Sequence, residues 1–278
     1  MEVSYQRFWI KNDQVMEQQK LPADFIEHGT SLYEVLRVMQ GIPLFLEQHL
    51  ARLKHTAQLT GLALPLDDAG IQQRLHDLMV SNKVDAGNVK LVINYPSPGR
   101  TADLYAYFVE HSYPSASDYQ NGIKTVLVQV ERPNPNAKVD RADYRRTVDG
   151  AIRESGAYEA LLVDRQGNVS EGGRSNLFML KGDIIYTAPG DKVLKGITRQ
   201  MVFAACRNRG YQVVEKEISL QEMLNMDAIF ISGTSPKVLP VSQVDDQRID
   251  SGSNAIIRDI MAGYDAIINE YIDSHQAK

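Results

Sequence analysis

Three short stretches of the 278-residue chain combine residue types that can do chemistry. Glu171-Gly-Gly-Arg-Ser-Asn-Leu-Phe178 interrupts an apolar strand pair with a carboxylate and two glycines, and glycines let a backbone or a flat ligand approach closely. Alone, the stretch is equally a β-bulge carrying a solvated glutamate. Gly196-Ile-Thr-Arg199 sets a glycine at the start of a helix, whose exposed amides and dipole suit an anion such as phosphate. Ser232-Gly-Thr-Ser235 follows the apolar strand Ala228 to Ile231 and adds hydroxyls and free amides at a strand end. Each of the last two is, by itself, also an ordinary turn.

Strands and helices must position these pieces, and the apolar pattern supplies them. The chain opens with an alternating segment from Tyr5 to Ile10, a turn at Asn12-Asp13, and a hairpin from Leu32 to Leu46 that reverses at Gln40-Gly41. Leu46, Leu50, Leu53 and Ala57 then share one face of a helix that Gly61 stops, and Ile71, Leu75, Leu78 and Met79 mark a second helix begun near Asp67 or Asp68. Two β-rich runs, Asn88 to Tyr95 and Leu104 to Val109, flank the loop Pro96-Ser-Pro-Gly-Arg100. The polar, turn-rich segment 113–122 reads as a linker between an N-terminal α+β domain, 1–112, and a C-terminal domain, 123–278. There, a strand from Lys124 to Val130 leads through Pro133-Asn-Pro-Asn136 to a helix over about Tyr144 to Glu154. Strand Glu159 to Val163, a hairpin of Asn176 to Leu180 with Ile184 to Thr187, and a helix from Thr198 to Arg209 come next. Strands Gln212 to Ile218 and Ala228 to Ser232 and a last helix over Asn254 to Ile272 complete the chain.

Composition narrows the function classes. Hydrophobic residues make up 43% and charged residues 23%, which excludes disorder and collagen-like repetition. With 35 acidic against 30 basic residues the net charge is -5, so there is no general attraction to nucleic acid or to anionic membrane, and neither partner is expected. The single cysteine, Cys206, reads as a small buried hydrophobe and fits a reducing compartment. The N-terminal MEVSYQRFWIKNDQVME lacks a signal-peptide layout, and no apolar run approaches membrane-spanning length. A soluble cytoplasmic protein is expected, without a metal site.

A phosphate held by amides and hydroxyls, with a carboxylate some distance away, is what a pyridoxal phosphate ring requires. The three stretches together resemble the signature of the class IV aminotransferases of pyridoxal phosphate fold type IV. That family contains branched-chain aminotransferases, D-amino-acid aminotransferases and aminodeoxychorismate lyases, and its pattern can be followed over nearly all of the chain. The resemblance implies an α+β fold of two domains, an N-terminal α/β sandwich and a C-terminal pseudo-barrel with helices. It puts Glu171 at the carboxylate that keeps the pyridine nitrogen protonated, so that the ring acts as an electron sink. It puts Lys138, on a strand-to-helix turn eighteen residues before Gly156, at the lysine that carries the cofactor covalently and moves the substrate proton. Lys124, Lys181, Lys192 and Lys195 read instead as strand, hairpin-turn and surface-loop positions. His49-Leu-Ala-Arg52-Leu resembles the helix whose arginine reaches the cofactor phosphate, so Arg52 takes that role. By the same match Ser175, Asn176, Ile197, Thr198, Thr234 and Ser235 complete the cofactor contacts, and Tyr144 is the partner for the ring hydroxyl.

Two segments depart from the family pattern. Glu27-His-Gly-Thr-Ser-Leu-Tyr-Glu34 resembles the substrate-side strand, yet Glu27 and His28 stand where aromatic and glycine residues are usual. Tyr33 is expected to line the substrate pocket, and His28 reads as a surface histidine. Ser97-Pro-Gly-Arg100 looks more like the arginine loop of the D-amino-acid and lyase branches than the Tyr-x-Arg of the branched-chain branch, which makes Arg100 the expected partner of a substrate carboxylate. After Lys138, Val139-Asp-Arg-Ala-Asp-Tyr-Arg-Arg146 is far more charged than the small-residue pattern common there. Arg141 either disfavours the lysine's charge by repulsion or is solvated. The resemblance thus implies pyridoxal-phosphate-dependent transamination between a small amino acid and a 2-oxo acid, in a homodimer. The alternatives are an aminodeoxychorismate lyase releasing pyruvate and 4-aminobenzoate, and a non-catalytic homologue, against which retention of Lys138 and Glu171 argues.

Overall fold

The computed structural model describes residues 4–17, 29–97, 101–132 and 134–276. Glu27, His28 and Arg100 lie outside the described residues. Two compact units emerge: the chain through Ser112 together with Ala137–Asp140 and the stretch from Tyr271, and the remainder, Tyr113–Asn136 with Arg141–Glu270.

In the first unit, β1 (Phe8–Lys11) and β2 (Gln14–Glu17) form a hairpin whose turn residue Asn12 adopts a φ of 54°. The expected opening strand therefore starts at Phe8 rather than Tyr5. β3 (Thr30–Met39) reverses through Gln40 and Gly41, both at positive φ, into β4 (Ile42–Pro43). α1 (Leu46–Thr60) ends at Gly61, whose φ of 67° is the left-handed cap that glycine takes without strain. α2 (Asp68–Asn82) begins under Asp67, whose carboxylate accepts from the Gly70 amide. β5 (Gly87–Tyr95) and β6 (Asp103–Val109) complete an antiparallel sheet in the order β2-β1-β6-β5-β3-β4.

The two faces of this sheet differ because strand side chains alternate. Ile10, Leu32, Leu36, Val89, Leu91, Ile93 and Phe108 face one way and pack with Leu50, Leu53, Ile71 and Leu75 of α1 and α2. Each such side chain contributes about 1.5–3 kcal/mol of burial. The opposite face carries a separate cluster of Trp9, Tyr33, Val92, Tyr105 and Tyr107.

The second unit opens with α3 (Ala116–Asn121), so the stretch expected as a linker contains a helix. Its start is a capping box: Ser115 Oγ accepts from the Asp118 amide while the Asp118 carboxylate accepts from the Ser115 amide. β7 (Ile123–Gln129), α4 (Ala142–Ser155) and β8 (Glu159–Val163) form a parallel crossover, followed by β9 (Val169–Gly172), β10 (Asn176–Lys181) and β11 (Ile184–Thr187). α5 (Ile197–Asn208), β12 (Val213–Glu215), α6 (Leu220–Leu224), β13 (Ala228–Gly233), β14 (Lys237–Val244), β15 (Gln247–Arg248) and α7 (Ala255–Gln276) follow. β12 occupies only three residues of the expected strand from Gln212 to Ile218, and β9, β14 and α6 were not expected. Hydrogen bonding runs β10-β13-β14-β7-β8-β9, and β9 returns to β10, closing a barrel-like ring filled by Leu161, Leu177, Met179, Ile229, Ile231 and Leu239. The seam that closes the ring is the register pair Glu171 and Asn176.

Candidate active site

Lys138 lies on the connection between β7 and α4, as the pattern required, but its short segment belongs to the first unit. Hydrogen bonds explain this placement. The Tyr33 amide donates to the Lys138 carbonyl at 3.1 Å, the Asp140 amide donates to the Ser31 carbonyl at 3.0 Å, and Val139 bridges Leu32. The Lys138 amide donates to Thr56 Oγ1 of α1 at 3.3 Å. The backbone is thus fixed on both sides of the lysine, and its Nζ stands 4.5 Å from the centroid of the buried Tyr33 ring.

Arg52, from α1, is 9% exposed and reaches Glu34 of β3, which is 0% exposed. Arg52 Nε donates to Glu34 Oε1 at 2.8 Å and Nη2 donates to Oε2, while His49 Nδ1 lies 2.7 Å from Oε2. Burial pushes the Glu34 carboxyl up, but the charge of Arg52 and the hydrogen bonds from Arg52 and His49 outweigh it and hold the group at about 2. Burial lowers His49, with Glu34 opposing the shift. The arginine is therefore clamped by an ionised carboxylate. Because Glu34 titrates in the folded protein below its ordinary 4.5, its contribution to stability is fully present above that pH and is lost as pH falls toward 2. Glu34→Gln should cost about 3–5 kcal/mol at pH 7, as breaking a buried pair does. Urea unfolding followed from pH 7 to pH 3 should show the parent losing stability below pH 4.5 and the variant lacking that portion of the loss.

The second unit holds Glu171 at the barrel seam, 3% exposed, where the bulge reading expected a solvated side chain. Arg132 Nε donates to Oε1 at 2.9 Å, and the Leu194 amide and Asn176 Nδ2 donate to Oε2 at 3.2 and 3.3 Å. The Arg132 guanidinium also lies over the Tyr144 ring, 5.0 Å from its centroid, and donates to the Gly173 carbonyl, as does the Tyr144 hydroxyl. Sequence reasoning missed Arg132, which lies 39 positions from its partner. The paired glycines are there for close approach: a Cβ at Gly172 would stand 2.1 Å from Ser175 Oγ, and one at Gly173 would stand 2.4 Å from Val148. Ser175 Oγ donates to Glu159 Oε2 at 2.9 Å, a second buried carboxyl that burial pushes up and that the sequence pattern did not single out.

The phosphate-type pieces are also in this unit. Gly196 caps α5 with no side-chain hydrogen bond, leaving the amides of its first turn, at Ile197 and Thr198, without a side-chain cap. A Cβ at Gly196 would stand 2.2 Å from Asn176 Oδ1, so only glycine brings the helix start this close to the seam. Arg199 turns instead to Glu215 and the Ala188 carbonyl. Thr234 and Ser235 lie in the turn between β13 and β14, separated by Gly233 from Ser232, whose buried hydroxyl has no hydrogen-bond partner among the described residues. Helix amides without a side-chain cap, a buried hydroxyl without a partner among the described residues and a buried carboxylate are the donor and acceptor set that a phosphorylated pyridine fits. Among the described residues there is no metal-binding cluster and no helix long and apolar enough to cross a membrane.

The model of the amino-transferase class IV family matches residues 31–244. The chain belongs to the class IV aminotransferases. This aminotransferase is 31% identical over 256 residues to the D-alanine aminotransferase of Bacillus licheniformis, spanning 87% of this chain and 90% of that protein. It is 25% identical over 269 residues to the branched-chain-amino-acid aminotransferase of Pseudomonas aeruginosa, spanning 90% and 88%. Its fold is fold type IV, matching the T.th. branched-chain amino acid aminotransferase solved with pyridoxamine 5'-phosphate at a TM-score of 0.86 and 22% identity over 96% of this chain and 97% of that one. Family membership makes the aminotransferase an enzyme and implies pyridoxal phosphate as its cofactor.

Proposed function

We propose that the enzyme moves an amino group between a small amino acid and a 2-oxo acid, with the 123–278 span holding pyridoxal phosphate and the 1–112 span shaping the substrate side. Lys138 would carry the cofactor and take the proton from the substrate Cα. Glu171 would hold a proton on the ring nitrogen, with Asn176 and Ser175 fixing the seam around it, and Tyr144 would meet the ring hydroxyl. The Ile197 and Thr198 amides, Thr234, Ser235 and Arg52 would hold the phosphate. When bound, the ring supplies a place for the electron pair left behind as the Cα proton departs. Tyr33 would line the substrate pocket and Arg100 would grip a carboxylate. The resemblance further points to a homodimer.

The observation that supports this reading most is the setting of Glu171: buried, supplied with donors on both oxygens and fixed at the barrel seam. The test is a panel of L- and D-amino acids, alanine first, with pyruvate or 2-oxoglutarate as acceptor, run beside aminodeoxychorismate. Amino transfer to the 2-oxo acid supports the reading; pyruvate released from aminodeoxychorismate without any transfer supports the lyase; inertness to all of them contradicts both.

Arg100 and Arg52 give an internal control. Arg100→Ala should raise the Michaelis constant roughly tenfold or more through the lost charge-assisted contact, with cofactor retention unchanged. Arg52→Ala should instead weaken cofactor retention, read by equilibrium dialysis against free pyridoxal phosphate. Release of cofactor from the Arg100 variant with an unchanged Michaelis constant would remove Arg100 from the substrate site.

A further inference from the structure

The helix that carries Arg52 begins without a cap of its own. Phe45, the residue before α1, has a φ of 55° and makes no side-chain hydrogen bond to the first turn, whose amides have no partner within the helix. A large residue rarely adopts this left-handed backbone, and it persists where the surroundings hold it. Here the last turn of α7 does so. From Tyr271 onward α7 belongs to the first unit, and the Tyr271 hydroxyl accepts from the Leu46 amide at 3.0 Å and donates to Glu47 Oε2 at 2.9 Å. The Tyr271 ring lies 4.9 Å from the buried Phe45 ring, centroid to centroid, and stacks on His275 at 4.0 Å. His275 Nε2 stands 3.3 Å from Glu47 Oε1, and Gln276 Nε2 donates to Gln40 Oε1 at 2.6 Å. One helical turn thus grips the start of α1 and the reversal between β3 and β4. Further along α1, His49 and Arg52 meet Glu34, and Thr56 takes the Lys138 amide.

We propose that Tyr271 is a positioning residue for the cofactor phosphate: by capping α1 it holds the helix where Arg52 reaches that phosphate. This rests on the reading that gives Arg52 the phosphate. Arg52 lies within the first two turns of α1, so a first turn that frays loosens His49 and, with it, the Glu34 carboxylate that both His49 and Arg52 contact. A tyrosine suits the task because its hydroxyl accepts and donates at once. Glu47, which receives that donation, sits in the first turn, where the helix dipole favours a negative charge. A Tyr271 kept only for packing leads to a different expectation, because phenylalanine would preserve the ring contacts and leave cofactor retention unchanged.

The test is equilibrium dialysis of Tyr271→Phe against free pyridoxal phosphate, beside amide hydrogen exchange of the full chain. The variant should exchange faster at residues 46–49 and raise the dissociation constant for the cofactor about three- to tenfold. With the cofactor saturating, kcat and the Michaelis constant should return to the parent's values. In the Arg52→Ala background, where the phosphate contact is already lost, adding Tyr271→Phe should weaken retention no further, as expected of two residues that act through one contact. Parent-like retention by Tyr271→Phe would overturn the proposal, as would a weaker retention without faster exchange in that turn, or the same weakening with and without Arg52. An Arg52→Ala protein that holds the cofactor as the parent does would instead remove Arg52 from the phosphate site and defeat the reading on which the proposal rests.

Discussion

Lys138→Ala is expected to abolish amino transfer, with a fall of at least about 10³-fold in kcat, since the proposed reading gives Lys138 both the cofactor's attachment and the base for the Cα proton. The fold should survive. The contacts that fix the segment are made by the backbone, from the Tyr33 amide to the Lys138 carbonyl and from the Lys138 amide to Thr56, and alanine keeps them. Circular dichroism and the urea midpoint should therefore match the parent while the yellow colour is lost. Lys138→Arg, which restores the charge over Tyr33 but cannot carry the cofactor covalently, should be equally inactive. Turnover within tenfold of the parent in either variant would show that another residue does this work.

Glu171→Gln should lower kcat by about 10²-fold or more, because a neutral amide cannot hold the ring-nitrogen proton through an ionic hydrogen bond. The structure adds a second cost. Glu171 now accepts from Arg132 on one oxygen and from Leu194 and Asn176 on the other. A glutamine must turn its NH₂ toward one of these donors, which leaves a buried donor without its acceptor at a cost of about 1–3 kcal/mol. The variant should thus be both slower and less stable, in contrast to Lys138→Ala, which should be only slower. The measurements are steady-state kinetics beside urea unfolding of the cofactor-loaded protein. A Glu171→Gln enzyme as fast as the parent would remove the carboxylate from the mechanism.

Much of the fold follows local rules that a sequence displays. The stop at Gly61, the helix start near Asp67 and the reversal at Gln40-Gly41 depend on neighbouring residues and were legible. The 113–122 stretch misled because the Ser115 and Asp118 that suggest a turn are also a helix-starting pair, and only the structure shows which. Long-range pairing was invisible. Nothing local tells that Ala137–Asp140 hydrogen-bonds to β3, that Arg132 finds Glu171, or that Lys90 finds Asp140 across 50 positions. Charged residues read as surface by default, which hid Glu34 and Lys90 in the interior. A usable signal existed for the first of these, since His49 and Arg52 lie three apart on a helix face that also carries Leu53 and Thr56.

The central claim is that Lys138 is the residue through which this aminotransferase holds pyridoxal phosphate. Borohydride reduction of the cofactor-loaded enzyme, followed by proteolysis and mass spectrometry, reads that attachment directly. The phosphopyridoxyl mass should appear on the peptide containing Lys138 and on no other. Its appearance on a peptide carrying Lys90, Lys124, Lys192 or Lys195, with Lys138 unmodified, would contradict the account.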